Sequence, residues 1–401
     1  MALTALIAAY HESGEAGHLR ATLPLAGRTV IERQARLAAS AGANPVIIFV
    51  ERLPAALSAA IERLRRDRVP VTLVRSAEEA AEVIDPYDRV LLVGDGAIVP
   101  AAQQVRLAAE EGPAVLTVPE SAHGELYERI DANSRWAGLA AIDGALLQET
   151  ARMLRDWDLQ STLLRRTLQA GATHVEADSA GAVAILDRDQ DLDELERRII
   201  AGADTANLSW SDFLLAPIER LVTLMLVGSA VSPQLIGLGA ALLTGLGAAA
   251  FYVGWYWIGL IKLLVATPLE GIATRLARLR MQSGIRQSWW AYLIPFFAAV
   301  AFVILGYKLM PVYGWGIVLL PFVTFAFLAA ESVETAGQRV TGAVLLAERR
   351  GMTWLLVPFA LFGLWPAGFI FLAVYAGASF FWAQQQVHAR AAAQGRPQGQ
   401  D

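Results

Sequence analysis

The sequence predicts an α/β domain joined to an all-α domain of six membrane-spanning helices. Residues 1–206 alternate short apolar runs with charged, helix-spaced segments, whereas long uncharged runs dominate after residue 220. Over 401 residues the chain is 55% hydrophobic with a mean hydropathy of +0.42, a composition that points to membrane spans. Between Pro268 and Pro295 stand four arginines, Arg275, Arg278, Arg280 and Arg286, flanked by the uncharged runs Leu221–Ile261 and Ser288–Tyr307. A basic stretch between such runs reads as a cytoplasmic loop between membrane helices.

Leu3–Ala9 has the pattern of a buried strand, and no basic region precedes it, so it is not a signal peptide. A loop, His11–Leu19, follows. Arg28–Ala41 repeats apolar residues at helical spacing, and Pro45–Val50 is a continuous apolar run, as in a buried parallel strand. Leu53–Asp67 then reads as a helix, Val71–Val74 as a strand, Ala77–Val83 as a helix and Asp88–Val93 as a strand. The alternation predicts a parallel sheet covered by helices. In such sheets ligands bind beyond the carboxyl ends of the strands, which places His11–Leu19 and Gly94-Asp95-Gly96 at one edge. Asp187–Ile200 is a charged amphipathic segment that closes the domain.

Residues 207–233 read as a linker and an interfacial helix, because Pro217, Glu219 and Arg220 interrupt an apolar segment. Six spans are expected within residues 234–388, at roughly 234–253, 255–273, 289–308, 313–331, 352–364 and 367–385. Arg275 to Arg286, then Arg339, Arg349 and Arg350, then Arg390 and Arg396 fall on one side, and Lys308 on the other. The positive-inside rule therefore puts the α/β domain and both termini in the cytoplasm, at a bacterial inner membrane. Trp255, Trp257, Trp289, Trp290, Trp315, Trp354 and Trp365 are expected as interfacial anchors, and Glu331 and Glu334 as solvated. Small residues of the first span (Gly237, Gly239, Ala240, Ala241, Gly245, Gly247) suit close helix packing, within the chain or in a homodimer. Residues 389–401 are small and polar, a disordered tail.

Composition also excludes some chemistry. Without cysteine there are no disulfides or thiolate metal sites, and five histidines without ligand spacing argue against zinc. A net charge of −5 gives no footprint for nucleic acid.

The stretch PLEGIATRLARLRMQSGIRQSWWAYLIP resembles the signature of the CDP-alcohol phosphotransferases, whose aspartates hold two divalent metals. Aligned on Ala277-Arg278, Glu270 stands at the first aspartate and Ala273 at the second. Thr274 and Gln287 stand at the two glycines, and Ala291 and Pro295 at the last two aspartates. Val231-Ser232-Pro233-Gln234-Leu235-Ile236 resembles the segment preceding that family's first span. The resemblance implies the family's six-helix membrane fold with a remnant headgroup or CDP site at Glu270, Ala277 and Arg278. One glutamate does not make a two-metal site, so this half is expected not to catalyse. Glu270 either faces a cavity, with Arg278, for an anionic headgroup or one metal, or pairs with Arg275 or Thr274 at a helix end.

The first half resembles the nucleotidyltransferases that activate sugars and other alcohols. The resemblance rests on Leu23-Pro24-Leu25-Ala26-Gly27-Arg28, on LLVGDGAIV, on Trp136-Ala137-Gly138-Leu139, on Asp156-Trp157-Asp158-Leu159 and on 189–195. It nominates Gly14, Arg20 and Asp95 for nucleotide binding, with Asp95 as a ligand of Mg²⁺ or Mn²⁺; read without the resemblance, Asp95 is a turn residue and Arg20 a surface arginine. Tyr10 stands where the family's phosphate loop has glycine, and Glu12 and Glu15 bring negative charge there. His11 and His18 read as loop residues without an evident partner.

In this order the two halves resemble fusions of an inositol-1-phosphate cytidylyltransferase with a phospho-alcohol transferase. The expectation is a membrane protein of phospholipid or phospho-alcohol metabolism, in contact with membrane lipids and with CTP or a CDP-alcohol. Both active-site motifs are degenerate, so the alternative is a non-catalytic scaffold that binds lipid and recruits cytoplasmic partners.

Overall fold

The computed structural model divides into two compact units, Met1–Ala201 and Gly202–Asp401. It describes residues 2–14, 18–120, 128–153, 158–177, 183–186, 195–196, 209–229, 231–281, 289–335 and 345–394, with side chains to 389. Glu15, Asp156, Trp157, Arg286, Gln287, Arg339, the Arg390 side chain, Arg396, the end of the tail and nearly all of 187–200 lie outside these.

The N-terminal unit is built on a seven-stranded sheet. Its strands are β1 (Leu3–Ala8), β4 (Val46–Phe49), β5 (Val71–Val74), β6 (Arg89–Val93), β8 (Ala114–Pro119), β9 (Ser134–Asp143) and β10 (Thr173–Glu176), in the order β10-β8-β9-β6-β1-β4-β5. Short pairs join β2 (Pro24–Leu25) to β3 (Arg28–Thr29) and β7 (Ala97–Ile98) to β11 (Ala184–Ile185). Helices α1 (Val30–Ser40), α2 (Ala55–Arg66), α3 (Ala77–Val83), α4 (Ala101–Ala108), α5 (Gly144–Met153) and α6 (Leu159–Gln169) complete the unit. The sheet is mixed, correcting the all-parallel expectation: β6, β1, β4 and β5 are parallel, but β9 runs antiparallel to both β6 and β8. Only 14 residues separate β8 from β9, and antiparallel neighbours can be joined by short connections where parallel ones need a crossover.

Both sheet faces are covered. Ala5 and Ile7 of β1 pack with Ile31, Ala35 and Leu64, while Leu6 packs on the other side with Trp136, Leu147 and Leu163. This explains why β1, β4 and β6 read as continuous apolar runs. α1 starts one residue after Thr29, whose backbone N–H donates to Glu32 Oε2 at 3.1 Å. Glu32 is fully buried and also receives Arg28 and Arg63, at 3.0 and 2.9 Å. Burial alone would raise its pKa; Arg63, the Thr29 N–H and Arg28 hold the carboxyl below its ordinary value.

The C-terminal unit is helical: α7 (Trp210–Val227), α8 (Pro233–Val253), α9 (Tyr256–Leu279), α10 (Trp290–Tyr313), α11 (Gly316–Glu334), α12 (Arg349–Leu361) and α13 (Trp365–Gln394). Five of these, α8 to α11 and α13, are long and apolar enough to cross a membrane. Helices stand at all six expected places, but α12 has 13 residues and covers about 20 Å, less than a hydrocarbon core of ~30 Å. Its first residue, Arg349, pairs with Glu270 in α9, and Trp365 just beyond its end packs on Tyr256 and Trp257 at the start of α9. Ser232 caps α8 by accepting the Leu235 N–H, and Pro233 follows at the first helical position, which gives the Val231–Ile236 motif its physical role.

Several local expectations are corrected. The second span does not end at residue 273: α9 runs to Leu279, so Arg275 and Arg278 lie on a helix and not in a loop. Trp255, Trp257, Trp289 and Trp315 are exposed at helix ends as interfacial anchors would be, but Trp290 and Trp365 are buried, and Trp354 donates to Thr267. Trp290 lies over Gly237, where a Cβ would collide with its ring, Gly247 makes room for Leu263, and Ala240 and Ala241 are buried against Ala273 and Ile294, so intramolecular packing uses four of the six small residues. Glu331 is not solvated: it is 6% exposed and accepts the Ser379 hydroxyl at 2.8 Å.

Candidate functional site

The chain leaves β1 to build one side of the sheet through β4 and β5, then returns to β1's other side with β6. The carboxyl ends of β1 and β6 therefore flank a topological switch point, where open α/β sheets bind ligands. Tyr10 and His11 follow β1, and Asp95 follows β6, so the expected shared edge is present. Their backbone N–H groups donate to Asp95 Oδ2 at 2.9 and 2.8 Å. The Asp95 N–H donates to Gln160 Oε1 at 2.8 Å. Asp95 is 3% exposed, and its Oδ1 is buried with no hydrogen-bond partner.

The turn that presents Asp95 is specified by its neighbours. Gln34 of α1 donates its amide to both Gly94 O and Ala97 O, at 2.9 Å each. Gly96 has φ +75°, and a Cβ there would collide with the Leu186 carbonyl. Trp136 of β9 fills the far side and donates to Leu139 O at 3.0 Å. The Trp136-Ala137-Gly138-Leu139 motif thus supports the site without entering it.

Tyr10 is tied down at both ends. Its hydroxyl donates to Asp158 Oδ1, and its ring meets His11 at 4.5 Å and the edge of Phe49 at 5.3 Å between centroids. Asp158 caps α6 by accepting the Ser161 N–H at 2.7 Å and holds Tyr10 besides. Burial and the bond to Asp158 push the Tyr10 hydroxyl pKa up. His11 Nδ1 lies 3.5 Å from Asp95 Oδ2, too long for a formed hydrogen bond but close enough for the carboxylate to raise the His11 pKa against the opposing effect of burial. Glu128 is also raised, by burial and by Asp158. His11, read from sequence as a partnerless loop residue, has a partner that lies 84 positions away.

Beyond His11 the chain folds back in a narrow loop. Ser13 N–H donates to His18 O at 2.8 Å and Arg20 N–H to His11 O at 3.0 Å. Gly14 is exposed and takes no part in Asp95's bonds. Arg20 opens a 3₁₀ turn and donates Nε–H to Glu12 O at 3.2 Å, while Arg52 pairs with the Glu12 carboxylate at 2.6 Å. The negative charge anticipated at position 12 therefore carries its own counter-ion. The structure brings Asp95 to Tyr10 and His11 and leaves Gly14 outside that bonded group.

In the C-terminal unit Glu270 and Arg278 share the last turns of α9. Glu270 pairs with Arg349 of α12, not with Arg275; Thr274 bonds only its backbone oxygen, at 2.9 Å. Arg275 instead donates to Glu219 of α7 at 2.9 Å, and Arg350 joins Glu219 to Asp212. Gly271 makes this possible, because a Cβ there would collide with the Glu219 carboxylate. Arg280 caps the end of α7, donating to Leu226 O, Ser229 O and Val231 O at 3.0, 2.7 and 2.6 Å. Arg278 is exposed. Ala277 is buried, and Ala273 is fully buried among Ala240, Ala241, Trp290 and Ile294.

The sequence did not reveal Glu219 and Arg350 as one node with Arg275, nor Arg349 as the partner of Glu270. The signal was present as two charges in an apolar segment and an arginine pair at the edge of an uncharged run. The donor set does not fit a resident Mg²⁺ or Mn²⁺. Asp95 offers one unengaged oxygen, Glu270 faces a guanidinium, and no group of three His, Asp or Glu side chains converges among the described residues.

No protein-family model matches the chain, and no curated protein matches it. Among solved structures it is similar to one described as a glucose-1-phosphate thymidylyltransferase from Bacillus anthracis in complex with a sucrose. Identity is 11% and the TM-score 0.40, over 49% of this chain and 94% of that one.

Proposed function

We propose that the chain is a membrane protein of phospholipid or phospho-alcohol metabolism that binds without transferring, a scaffold whose two nominated sites are spent on internal bonds. The observation that carries this reading is Asp95: its Oδ2 is occupied by the chain's own Tyr10 and His11 N–H groups, with the Tyr10 side chain held by Asp158. Glu270 supports it, because an arginine already neutralises it. So does Ala273, where apolar side chains fill the place at which a second metal-binding carboxylate would stand.

In this reading α12 supplies a sixth crossing, since it connects the Glu270 level of α9 to its Tyr256 end. Arg275, Arg278, Arg280, Arg349 and Arg350 gather at one end of the bundle, whereas Lys308 lies over Tyr252 at the other. That asymmetry supports a cytoplasmic N-terminal unit at a bacterial inner membrane. Membrane lipid is the ligand of the membrane unit, and a homodimer is its expected assembly.

The test is calorimetry and product analysis on the purified protein with CTP, a phospho-alcohol, CDP-diacylglycerol and Mg²⁺ or Mn²⁺. Release of neither pyrophosphate nor CMP is expected, with heat from the lipid alone, reduced by Glu270→Ala with Arg278→Ala. Turnover of CTP or CDP-diacylglycerol overturns the reading. A second reading, nucleotide binding at the switch point, draws on the unengaged Asp95 Oδ1. Its mark is heat from CTP that Asp95→Asn abolishes.

A further inference from the structure

Helix α7 is amphipathic in the inverted sense. Ser211, Asp212, Glu219 and Thr223 face inward. The Glu219 and Asp212 carboxylates meet Arg275 and Arg350, and Ser211 donates to Glu348 at 3.0 Å. The opposite face consists of Phe213, Leu214, Ile218, Leu221, Leu224 and Met225, all more than half exposed. At 100° per residue these six fall within a sector of about 140°. A surface helix of a protein in water has the reverse pattern, and a helix lying in a membrane interface turns its charged side to water. Here the carboxylates are turned away from the surroundings and already neutralised.

The neighbours say what lies outside. Glu219 rests against Gly271, and Arg280 caps the carboxyl end of α7, so α7 follows the last third of α9, a helix long and apolar enough to cross a membrane. α8 and α9 also present exposed apolar side chains, among them Leu242, Leu246, Ile261 and Val265. We infer that the outer face of α7 is in contact with lipid acyl chains, and that α7 is a membrane-embedded helix sealing the ionic node of Glu219, Arg275 and Arg350 from the hydrocarbon. α7 has 18 residues, and what keeps it out of the spanning set is its three charged residues, Asp212, Glu219 and Arg220. Two of these are neutralised inside the unit, and Arg220 sits at the border of the apolar sector. The inference is independent of whether any transfer chemistry survives.

The chain contains no cysteine, so single-cysteine variants can be labelled cleanly. Nitroxide labels on Phe213→Cys, Leu221→Cys and Met225→Cys, each in the full chain in phosphatidylcholine–phosphatidylglycerol vesicles, would be compared by power saturation with oxygen and with a water-soluble nickel chelate. Leu242→Cys serves as the spanning-helix reference and Tyr87→Cys, an exposed position of the N-terminal unit, as the aqueous one. The expected oxygen-to-nickel collision ratio on α7 is several-fold above that at Tyr87→Cys and within the range of Leu242→Cys. Nickel accessibility like that of Tyr87→Cys would place the face in water. Exclusion of both reagents would place it against protein, including a second copy of the chain. Either result overturns the inference.

Discussion

Asp95 and Glu219 are both buried carboxylates, 3% and 0% exposed, yet they are held by opposite means. Asp95 takes two backbone N–H groups and stands beside a histidine; Glu219 takes two arginines. The difference follows from the architecture. At the carboxyl edge of a sheet the chain leaves its ladder, and its N–H groups need acceptors that a carboxylate can supply. Inside a helix bundle the backbone donors are already used within each helix, so a buried carboxylate draws on side chains instead, two arginines at Glu219 and a hydroxyl at Glu331. Carboxylates seen in a sequence thus acquire different partners according to the element that delivers them.

The contrast can be broken by removing partners one at a time. The largest effect is expected from Arg350→Met, which leaves Glu219 with one cation and strips Asp212 of its only ion pair among the described residues. A loss of about 4 kcal/mol is expected, read as a fall in thermal stability of the detergent-solubilised protein, and Glu219→Gln with Arg350→Met should recover most of it. If the single variant unfolds like the parent, the node does not hold α7. Asp95→Ala comes next, at ~3 kcal/mol, because two N–H groups lose a charged acceptor; Asp95→Asn, which keeps an acceptor, should lose much less in denaturant titration. Arg280→Ala should cost about 2 kcal/mol by uncapping α7, with faster amide exchange over its last turn as the local readout. Tyr10→Phe removes the hydroxyl's bonds to Asp158 and to the Gln160 N–H, about 1.5 kcal/mol together, and should leave the fold intact by circular dichroism.

The smallest expected effect is on pH dependence. His11 has a folded pKa raised above its unfolded value near 6.5 by Asp95. The stabilisation from this pair is therefore complete below the unfolded pKa and is lost as pH rises through the higher folded one. NMR titration of the His11 ring should show that raised midpoint, and Asp95→Asn should return it toward the ordinary value. A midpoint unmoved by Asp95→Asn would show that the carboxylate does not set it.

Element type was legible wherever periodicity was strong. Val71–Val74 and Ala77–Val83 stand where the pattern put them, and helices stand at all six expected membrane positions. Direction was less legible: nothing in the run Ser134–Asp143 says that it pairs antiparallel to β6, because pairing sense depends on the connection as much as on composition. Residue roles that depend on a partner distant in sequence were the hardest to read. Asp95 was found as a candidate, but its bond to the Tyr10 and His11 backbone joins positions about 85 apart. Glu219 was seen as an interruption because its partners, Arg275 and Arg350, lie 56 and 131 residues further on. Glu331 was read as solvated because the ends of spans usually are, and its partner Ser379 lies on another helix.

The side-chain amide of Gln34 carries one more consequence. By gripping both carbonyls of the turn that holds Asp95, it couples that turn rigidly to α1, the same helix whose first turn buries Glu32 among arginines. A sideways displacement of that helix would drag the acid with it and loosen its hold on the β1 loop. The buried arginine cluster around Glu32 and the turn that presents Asp95 are therefore mechanically one part, joined through residues two positions apart on one helix, and a ligand that pulled on either would be felt at the other.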